Sequence, residues 1–317
     1  MVNFAPVVLF TYNRLSHTEE TVYSLSKCAE AKDTIVYVFM DAPKDESQLE
    51  KVNQVKKFIY GLKKEKLFKE IVIKEREFNF GLAKSIRVGI SEVFEKYDAL
   101  VVLEDDCKVS PYFLSYINGA LKFYKNMPSV GSVSSYIPAI KIPNDYKYDV
   151  ISLPRTCSWG WGTWKKYWDE IDWEIKDISK YRYNMNFILE MNKCGSDRFS
   201  RLLKQLKLNI NSWSILFGYN QLKKGYTTIY PRYSYLFCTG NDGSGVHSNT
   251  STDLLDIDLD KAIETPVFTE VVVDNRICKE MHKKFSGNIL RQIFSYIYIF
   301  GGDIIIDKVR KSRKMKK

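Results

Sequence analysis

The sequence lacks the glycine-rich motifs that hold phosphates in many nucleotide-binding proteins, because neither GxGxxG nor GxxxxGK[ST] occurs. It also has no run near the roughly 18 uninterrupted apolar residues that a membrane-spanning helix needs. The six cysteines include no pair with the two-residue spacing of zinc or redox sites. These absences exclude a dinucleotide fingerprint, a P-loop, a predicted membrane span and a zinc module of common type.

The same absences predict where the chain works. Cysteines without evident pairing fit a reducing compartment. Residues 1–6 (MVNFAP) show neither a charged segment nor a long apolar segment of the kind found in secretory signals. We therefore expect a cytoplasmic protein.

Positive charge is concentrated at the C-terminal end. The 317 residues carry a formal net charge of +10, and residues 308–317 contain seven basic residues and no acid. The rest of the chain is therefore at only about +3, which gives little support for a nucleic-acid groove. We expect no nucleic-acid partner. At 45% hydrophobic residues the chain can bury a large core.

Strand-like and helix-like segments alternate over the first 125 residues. Short apolar runs at 6–12, 34–40, 71–74 and 100–103 are each followed by a helical pattern. This alternation predicts an α/β fold with a mainly parallel sheet flanked by helices.

Polar residues follow the predicted strands where ligands bind in such sheets, at the carboxyl ends. The fourth strand ends in Glu104, Asp105 and Asp106, while Arg14 and Asp41 follow two other strands. Three adjacent acids indicate either a solvated turn or a site for a divalent cation, which prefers oxygen ligands. If a nucleotide binds here, a metal held by the acids would balance its phosphates.

Two stretches of the second half allow two interpretations each. Residues 155–168 contain four of the six tryptophans and form either a core corner or a surface that stacks on sugars. Residues 239–248 (TGNDGSGVHS) form either a structural turn or a flexible active-site loop.

Five segments, taken in order and spacing, resemble a known family. They are Val8–Arg14, Phe39–Asp41, Gly81–Ile86, Val101–Asp106 with Ser110–Phe113, and Arg155–Gly162. The resemblance is to GT-A glycosyltransferases of the N-acetylglucosaminyltransferase I branch and its bacterial relatives, among them surface-polysaccharide sugar transferases. It implies a GT-A (Rossmann-like) catalytic domain over 1–255, with a nucleotide-sugar half (1–125) and an acceptor half (126–255). Residues 256–317 would form a C-terminal helical and basic extension.

The resemblance also implies a function and a set of site residues. The chain would be a metal-dependent hexosyl- or N-acetylhexosaminyltransferase, taking a sugar from a nucleotide-sugar donor, with a UDP-sugar expected, to a glycan or lipid-linked acceptor in bacterial surface polysaccharide synthesis. Asp106 and His247 would ligate Mn²⁺ or Mg²⁺. Trp159 and Trp161 are our candidates for acceptor binding, because the glycines between the tryptophans would let their rings lie flat against a sugar. The implied donor-binding residues are Thr11, Asn13, Arg14, Asp41, Lys84, Glu104 and Asp105.

The catalytic base departs from the family pattern. Inverting relatives place an aspartate beside a tryptophan well after the acidic motif, but the local counterpart, 211–214 (NSWS), has no carboxylate. Either the alignment is shifted, another acid serves, or the enzyme retains configuration. Asp242 is our first candidate for the base, and Asp197 is the second. The missing carboxylate favours the alternative of a non-catalytic nucleotide-sugar or carbohydrate-binding protein of the same fold.

The C-terminal extension combines an apolar segment (288–300) with the basic residues 308–317. It predicts either a helix packed on the catalytic domain with a solvated tail, or peripheral attachment to an anionic membrane on the inner face of the plasma membrane.

Overall fold

The computed structural model describes residues 4–240 and 257–302. Strands and helices alternate in the first half, as β1 (Val7–Thr11), α1 (Leu15–Ser26), β2 (Ile35–Met40), α2 (Leu49–Leu62), β3 (Glu70–Glu75), α3 (Leu82–Phe94), β4 (Ala99–Glu104), β5 (Cys107–Val109) and α4 (Phe113–Tyr124). The second half contains β6 (Val130–Ser134), β7 (Val150–Leu153), β8 (Trp161–Trp164), α5 (Lys165–Trp168), α6 (Ile178–Tyr181), α7 (Met185–Asn192), α8 (Arg198–Leu206), α9 (Trp213–Lys223), β9 (Thr227–Pro231), β10 (Leu236–Cys238), α10 (Asn275–Ser286) and α11 (Ile289–Ile297).

One eight-stranded sheet organises these elements, in the order β3-β2-β1-β4-β8-β6-β9-β7. The four strands β3, β2, β1 and β4 run parallel, because helices cross over between them. Strand β8 is antiparallel to both of its neighbours, β9 pairs parallel with β6, and β7 closes the edge antiparallel to β9. The predicted α/β class with a mainly parallel sheet is confirmed.

Both faces of the sheet are buried. Along β1, Val7 and Leu9 contribute to the core under α1, α2 and α4, while Val8 and Phe10 contribute to the core under α3 and α9. This explains why the strands read as continuous apolar runs instead of an alternating pattern. The first four strands are thereby locked in register, so their carboxyl ends lie along one edge.

The C-terminal residues of the described chain pack on the preceding part. Ile277, Cys278 and Met281 of α10 share a core with Ile151 and Tyr230 of the sheet edge. The predicted boundary between 255 and 256 falls outside the described residues and stays a prediction. Among the helices of 4–240 and 257–302, none has the length and apolar character to cross a membrane.

Candidate functional site

The register of the parallel strands brings an arginine to the three acids. Glu104 pairs with Phe10 across β4 and β1, so the turn after β4 lies beside the turn after β1. Arg14 lies in that second turn, directly before α1. Residues 91 and 92 positions apart in sequence thus meet at the carboxyl edge of the sheet, where parallel sheets bind ligands.

Arg14 forms ion pairs with two of the acids. Its Nη2 donates to Asp105 Oδ1 and, at 2.9 Å, to Asp106 Oδ2. Arg14 Nη1 is buried and has no hydrogen-bond partner within the described residues. A buried donor without a partner is costly, so an anionic group that reached this atom would satisfy it.

The acidic turn is held by residues that the sequence analysis did not single out. Thr21 Oγ1 on α1 donates to the Asp105 carbonyl at 2.8 Å and accepts from the Cys107 N–H at 2.9 Å. A threonine on the buried face of a helix was the available signal, since a buried hydroxyl needs a partner. Thr21 therefore positions the carboxylates through the backbone.

A two-stranded ribbon brings a distant part of the chain to the same acids. Strand β10 pairs with β5, and the Thr239 N–H donates to the Asp106 carbonyl at 2.8 Å. A Cβ on Gly240 would lie 2.0 Å from Asp106 Oδ2 and 3.1 Å from Arg14 Nη1. Only glycine permits this close approach. Gly240 belongs to the glycine-rich segment 239–248.

The pKa of Glu104 departs strongly from the usual value of a carboxyl group. Burial raises the pKa of Glu104 to about 8, and the charges of Asp106 and Asp105 add to the effect while Arg14 opposes it. Burial also raises the pKa of Asp105, against the influence of Arg14. Strongly perturbed carboxyl pKa values at a ligand edge are typical of a functional site, because ordinary packing does not favour them.

Glu104→Gln should stabilise the protein at high pH. A carboxyl whose pKa rises from 4.5 to about 8 on folding stabilises the native state below pH 4.5 and loses that contribution as the pH rises to 8. In metal-free buffer at pH 9 the variant should gain at least about 1 kcal/mol in free energy of unfolding, and at pH 4.5 the gain should vanish. Urea denaturation at both pH values measures this. Glu95→Gln, on an exposed helix end, is the control, and an equal gain in both variants would contradict the assignment.

Asp41 organises the neighbouring loop. Its carboxylate accepts backbone N–H bonds from Ala42 at 3.1 Å, Phe80 at 2.8 Å and Gly81 at 2.9 Å. Gly81 adopts φ +68° immediately before α3, a conformation that favours glycine. Asp41 thus ties the start of α3 to the end of β2, and its predicted contact with the donor stays a prediction.

Lys84 lies beside this loop. Its Nζ is 4.1 Å from the centre of the Phe80 ring, and Cζ of Arg76 is 5.0 Å from the same ring centre. The structure therefore brings Lys84 together with Asp41 through Phe80. Phe80 and Arg76 were missed by the sequence analysis, in which a single aromatic in a turn carries little signal.

Thr11 and Asn13 have local partners. Thr11 is buried, and its hydroxyl is directed at the Phe39 carbonyl at 3.5 Å. The Asn13 amide donates to Gln48 Oε1 at 2.5 Å, which connects the β1 turn to the start of α2. Both lie at the carboxyl edge as predicted from sequence, but the Thr11 side chain is directed into the sheet.

The two predicted acceptor tryptophans differ in their burial. Trp159 is partly exposed and packs edge-on against Tyr136 at 4.8 Å between ring centres. Trp161 is fully buried and stacks on Trp213 at 5.2 Å. The placement of Trp161 on an acceptor surface is corrected, because its buried ring offers no face to a sugar. The core interpretation of the tryptophan-rich stretch therefore holds for Trp161.

The candidates for the base and the histidine ligand have different outcomes. Asp242 and His247 lie outside the described residues, two and seven positions beyond Gly240. Asp197 forms an ion pair with Arg155 at 3.1 Å. Although burial acts in the other direction, the Arg155 charge lowers the pKa of Asp197. Such a carboxylate is a poor base, because its charged form is stabilised.

The acids at this edge would hold a metal ion only together with oxygen atoms from a bound substrate. Among the described residues, no three His, Cys, Asp or Glu side chains are grouped to hold an ion. Asp106 and Asp105 supply oxygen donors, which Mg²⁺ uses one or two at a time together with substrate phosphates. Arg14 Nη1, which has no partner within the described residues, is a hydrogen-bond donor that a phosphate oxygen could accept from. The residues therefore fit a metal that a diphosphate brings with it.

Comparison with known proteins finds one family model and similar solved structures. The model of the GNT-I family matches residues 1–174, more than half of the chain. No curated protein sequence matches. Among solved structures, the chain is similar to TarS from S. aureus with a TM-score of 0.41 and 13% sequence identity, over 75% of this chain and 37% of TarS. The chain thus spans little more than a third of that protein.

Proposed function

Since the chain belongs to the GNT-I family, we propose that it is a glycosyltransferase that transfers a hexosyl or N-acetylhexosaminyl group from a nucleotide-sugar. The proposed donor is a UDP-sugar, and the proposed acceptor is a hydroxyl of a glycan or lipid-linked glycan. A role in bacterial surface polysaccharide synthesis accords with the family resemblance. The nature of the sugar and of the acceptor is part of the proposal.

One observation carries the proposal. Arg14 Nη2 donates to both Asp105 and Asp106, while Nη1 has no hydrogen-bond partner within the described residues. A guanidinium with free donors binds phosphate oxygens well, since its fork geometry matches them. The neighbouring carboxylates suit a cation that travels with the diphosphate. A nucleoside diphosphate would thus meet both signs of charge at the edge where α/β sheets bind ligands.

The reaction follows from these charges. The bond between the anomeric carbon and the diphosphate oxygen breaks, its electron pair leaves with the nucleoside diphosphate, and the sugar passes through an oxocarbenium-like state. Arg14 would stabilise the charge that develops on the leaving oxygen. Asp106 would hold Mn²⁺ or Mg²⁺, which supplies further positive charge to the diphosphate. Glu104 and Asp105 would contact the ribose and the donor sugar.

Deprotonation of the acceptor needs a separate group. If the configuration inverts, a base takes the proton from the acceptor hydroxyl as its oxygen bonds to the anomeric carbon. We propose Asp242, because the chain passes Asp106 at Gly240, two residues before it. His247 would contact the metal or a phosphate from the same segment.

A thermal-shift screen of nucleotide-sugars with and without Mn²⁺ tests this function. The true donor at a hundred times its dissociation constant should add about 2.7 kcal/mol to the free energy of unfolding. The same donor should then be hydrolysed slowly in the presence of metal. Stabilisation without turnover on any acceptor would favour the non-catalytic binding protein, and no stabilisation by any nucleotide-sugar would contradict both.

A further inference from the structure

Helix α11 exposes an apolar face that nothing in the described chain covers. Its outward side chains are between 45% and 70% exposed, a level rarely seen for neighbouring large apolar residues. They are Ile289, Leu290, Ile293, Phe294, Ile297 and, in the turn that follows, Phe300. We call these six residues the α11 face. Their spacing of three, four or one residue places them on one side of a helix.

The opposite side of the helix fixes its orientation. Ser295 Oγ donates to the Ser196 carbonyl at 2.6 Å and lies 2.8 Å from Ser200 Oγ, within hydrogen-bond distance, which joins α11 to α8. Tyr298 and Ile299 are buried in a core with residues of α8 and α9. The α11 face is thus held outward by a packed inner side.

A basic pocket lies directly beside this face. The cavity between α8 and α11 has a volume of about 360 Å³, and Leu290 and Phe294 of the α11 face form part of its wall. Its cationic lining residues are Arg201, Lys204 and Arg291. We call it the α8–α11 pocket. Apolar and cationic side chains therefore share one rim.

The charge of the pocket is positive after its acid is counted. Asp197 also lines it, but this carboxylate is already paired with Arg155 at 3.1 Å, and Arg201 Nη1 lies 3.9 Å away. The Arg201 side chain is still 46% exposed. Three cations against one neutralised acid favour an anionic group, and the four serines and Asn288 in the lining add polar partners.

We propose that the α11 face and the α8–α11 pocket form a docking surface for an anionic membrane, with a lipid phosphate seated in the pocket. The apolar side chains would enter the acyl boundary while the neighbouring cations meet the phosphate layer, as interfacial helices do. Residues 308–317, which follow α11 after a short interval, add seven basic residues to the same end of the chain. This inference does not depend on the proposed sugar transfer.

Charge complementarity distinguishes a membrane from other occupants. A second copy of the chain would bring the same three cations to the interface, and like charges oppose association. An apolar segment of this chain would cover the face but would not need the basic pocket. An anionic lipid surface uses both features together.

Vesicle flotation of the full chain tests the proposal, with phosphatidylcholine vesicles and with vesicles that contain about 30 mol% phosphatidylglycerol. The protein should bind the anionic vesicles and lose affinity in high salt. Ile293→Asp with Phe294→Asp should weaken binding at least about tenfold, because two apolar side chains no longer enter the boundary. Arg201→Gln, Lys204→Gln and Arg291→Gln should weaken it about fivefold for each charge.

Matched controls keep the charge and hydrophobicity changes but move them elsewhere. Lys51→Gln, Lys57→Gln and Lys64→Gln remove three charges from α2 and the turn after it, and Val267→Asp with Val272→Asp replaces two exposed apolar residues. Both controls should bind vesicles nearly as the parent does. Circular dichroism checks that all variants fold.

Three outcomes would overturn the proposal. The parent protein could fail to bind anionic vesicles, the α2 variant could lose as much affinity as the pocket variant, or the α11 face variant could bind unchanged. A concentration-dependent dimer that the face variant abolishes, without vesicle binding, would assign the face to self-association instead. Light scattering during size exclusion measures that dimer.

Discussion

Asp106→Asn should lower sugar transfer about 10³-fold, the largest effect we expect from a single substitution. The amide keeps the size and most of the hydrogen-bonding capacity of the side chain, so the turn held by Thr21 should persist. What is lost is the negative charge beside Arg14 that would hold the metal of the donor. Donor-induced thermal stabilisation in Mn²⁺ should fall together with turnover, because both depend on that ion.

Two further variants identify what Asp106 does. Asp33→Asn, an exposed acid before β2, should leave both readouts unchanged. Asp242→Asn should keep donor stabilisation and lose transfer to the acceptor, since a base acts only on the acceptor hydroxyl. Full transfer activity in Asp106→Asn would contradict a role of this carboxylate in the donor site. Full activity in Asp242→Asn would remove it as the base.

Trp161→Ala should cost about 3–5 kcal/mol in free energy of unfolding, as a large buried aromatic does when it leaves a cavity. The Trp161 ring is fully buried and contacts Trp213 at 5.2 Å and Phe217 at 5.0 Å between ring centres. These residues belong to α9, which packs on the sheet through them. The loss should therefore loosen α9 from β8, and urea denaturation measures it.

Trp159→Ala is the matched comparison, because it removes the same side chain two positions earlier. Trp159 is partly exposed and packs mainly against Tyr136, so its removal should cost much less stability. If the predicted acceptor role is correct, its KM for the acceptor should rise while donor binding stays unchanged. A small stability loss in Trp161→Ala with a raised acceptor KM would return Trp161 to the acceptor site.

Local patterns in the sequence were sufficient to predict the first half of the fold. Short apolar runs followed by helical segments predicted β1 to β4 and their parallel arrangement, and the bounds of the strands differ from prediction by at most one residue. The reason is physical: a strand buried on both faces must be apolar at every position, which is visible in sequence. The strand order in the second half, with β8 inserted between β4 and β6, has no such local signal.

The tryptophan-rich stretch shows where sequence reasoning stops. Trp159 and Trp161 differ by two positions and have the same chemical character, so composition alone assigned them the same role. Their burial depends on β8, which turns Trp161 toward α9. Since α9 lies some 50 residues later in the chain, no local pattern reports that contact.

The acids at 104–106 and the arginine at 14 were recognisable from the sequence as a charged ligand edge, because alternation of strand and helix dictates where strands end. Their pairing was not, since Arg14 meets Asp105 and Asp106 only through the β1–β4 register. Gly240 reaches Asp106 only because β10 pairs with β5. Sequence periodicity therefore determined the class of fold and the chemical character of the site, while contacts between distant segments, which depend on packing of the whole chain, decided how its charges are balanced.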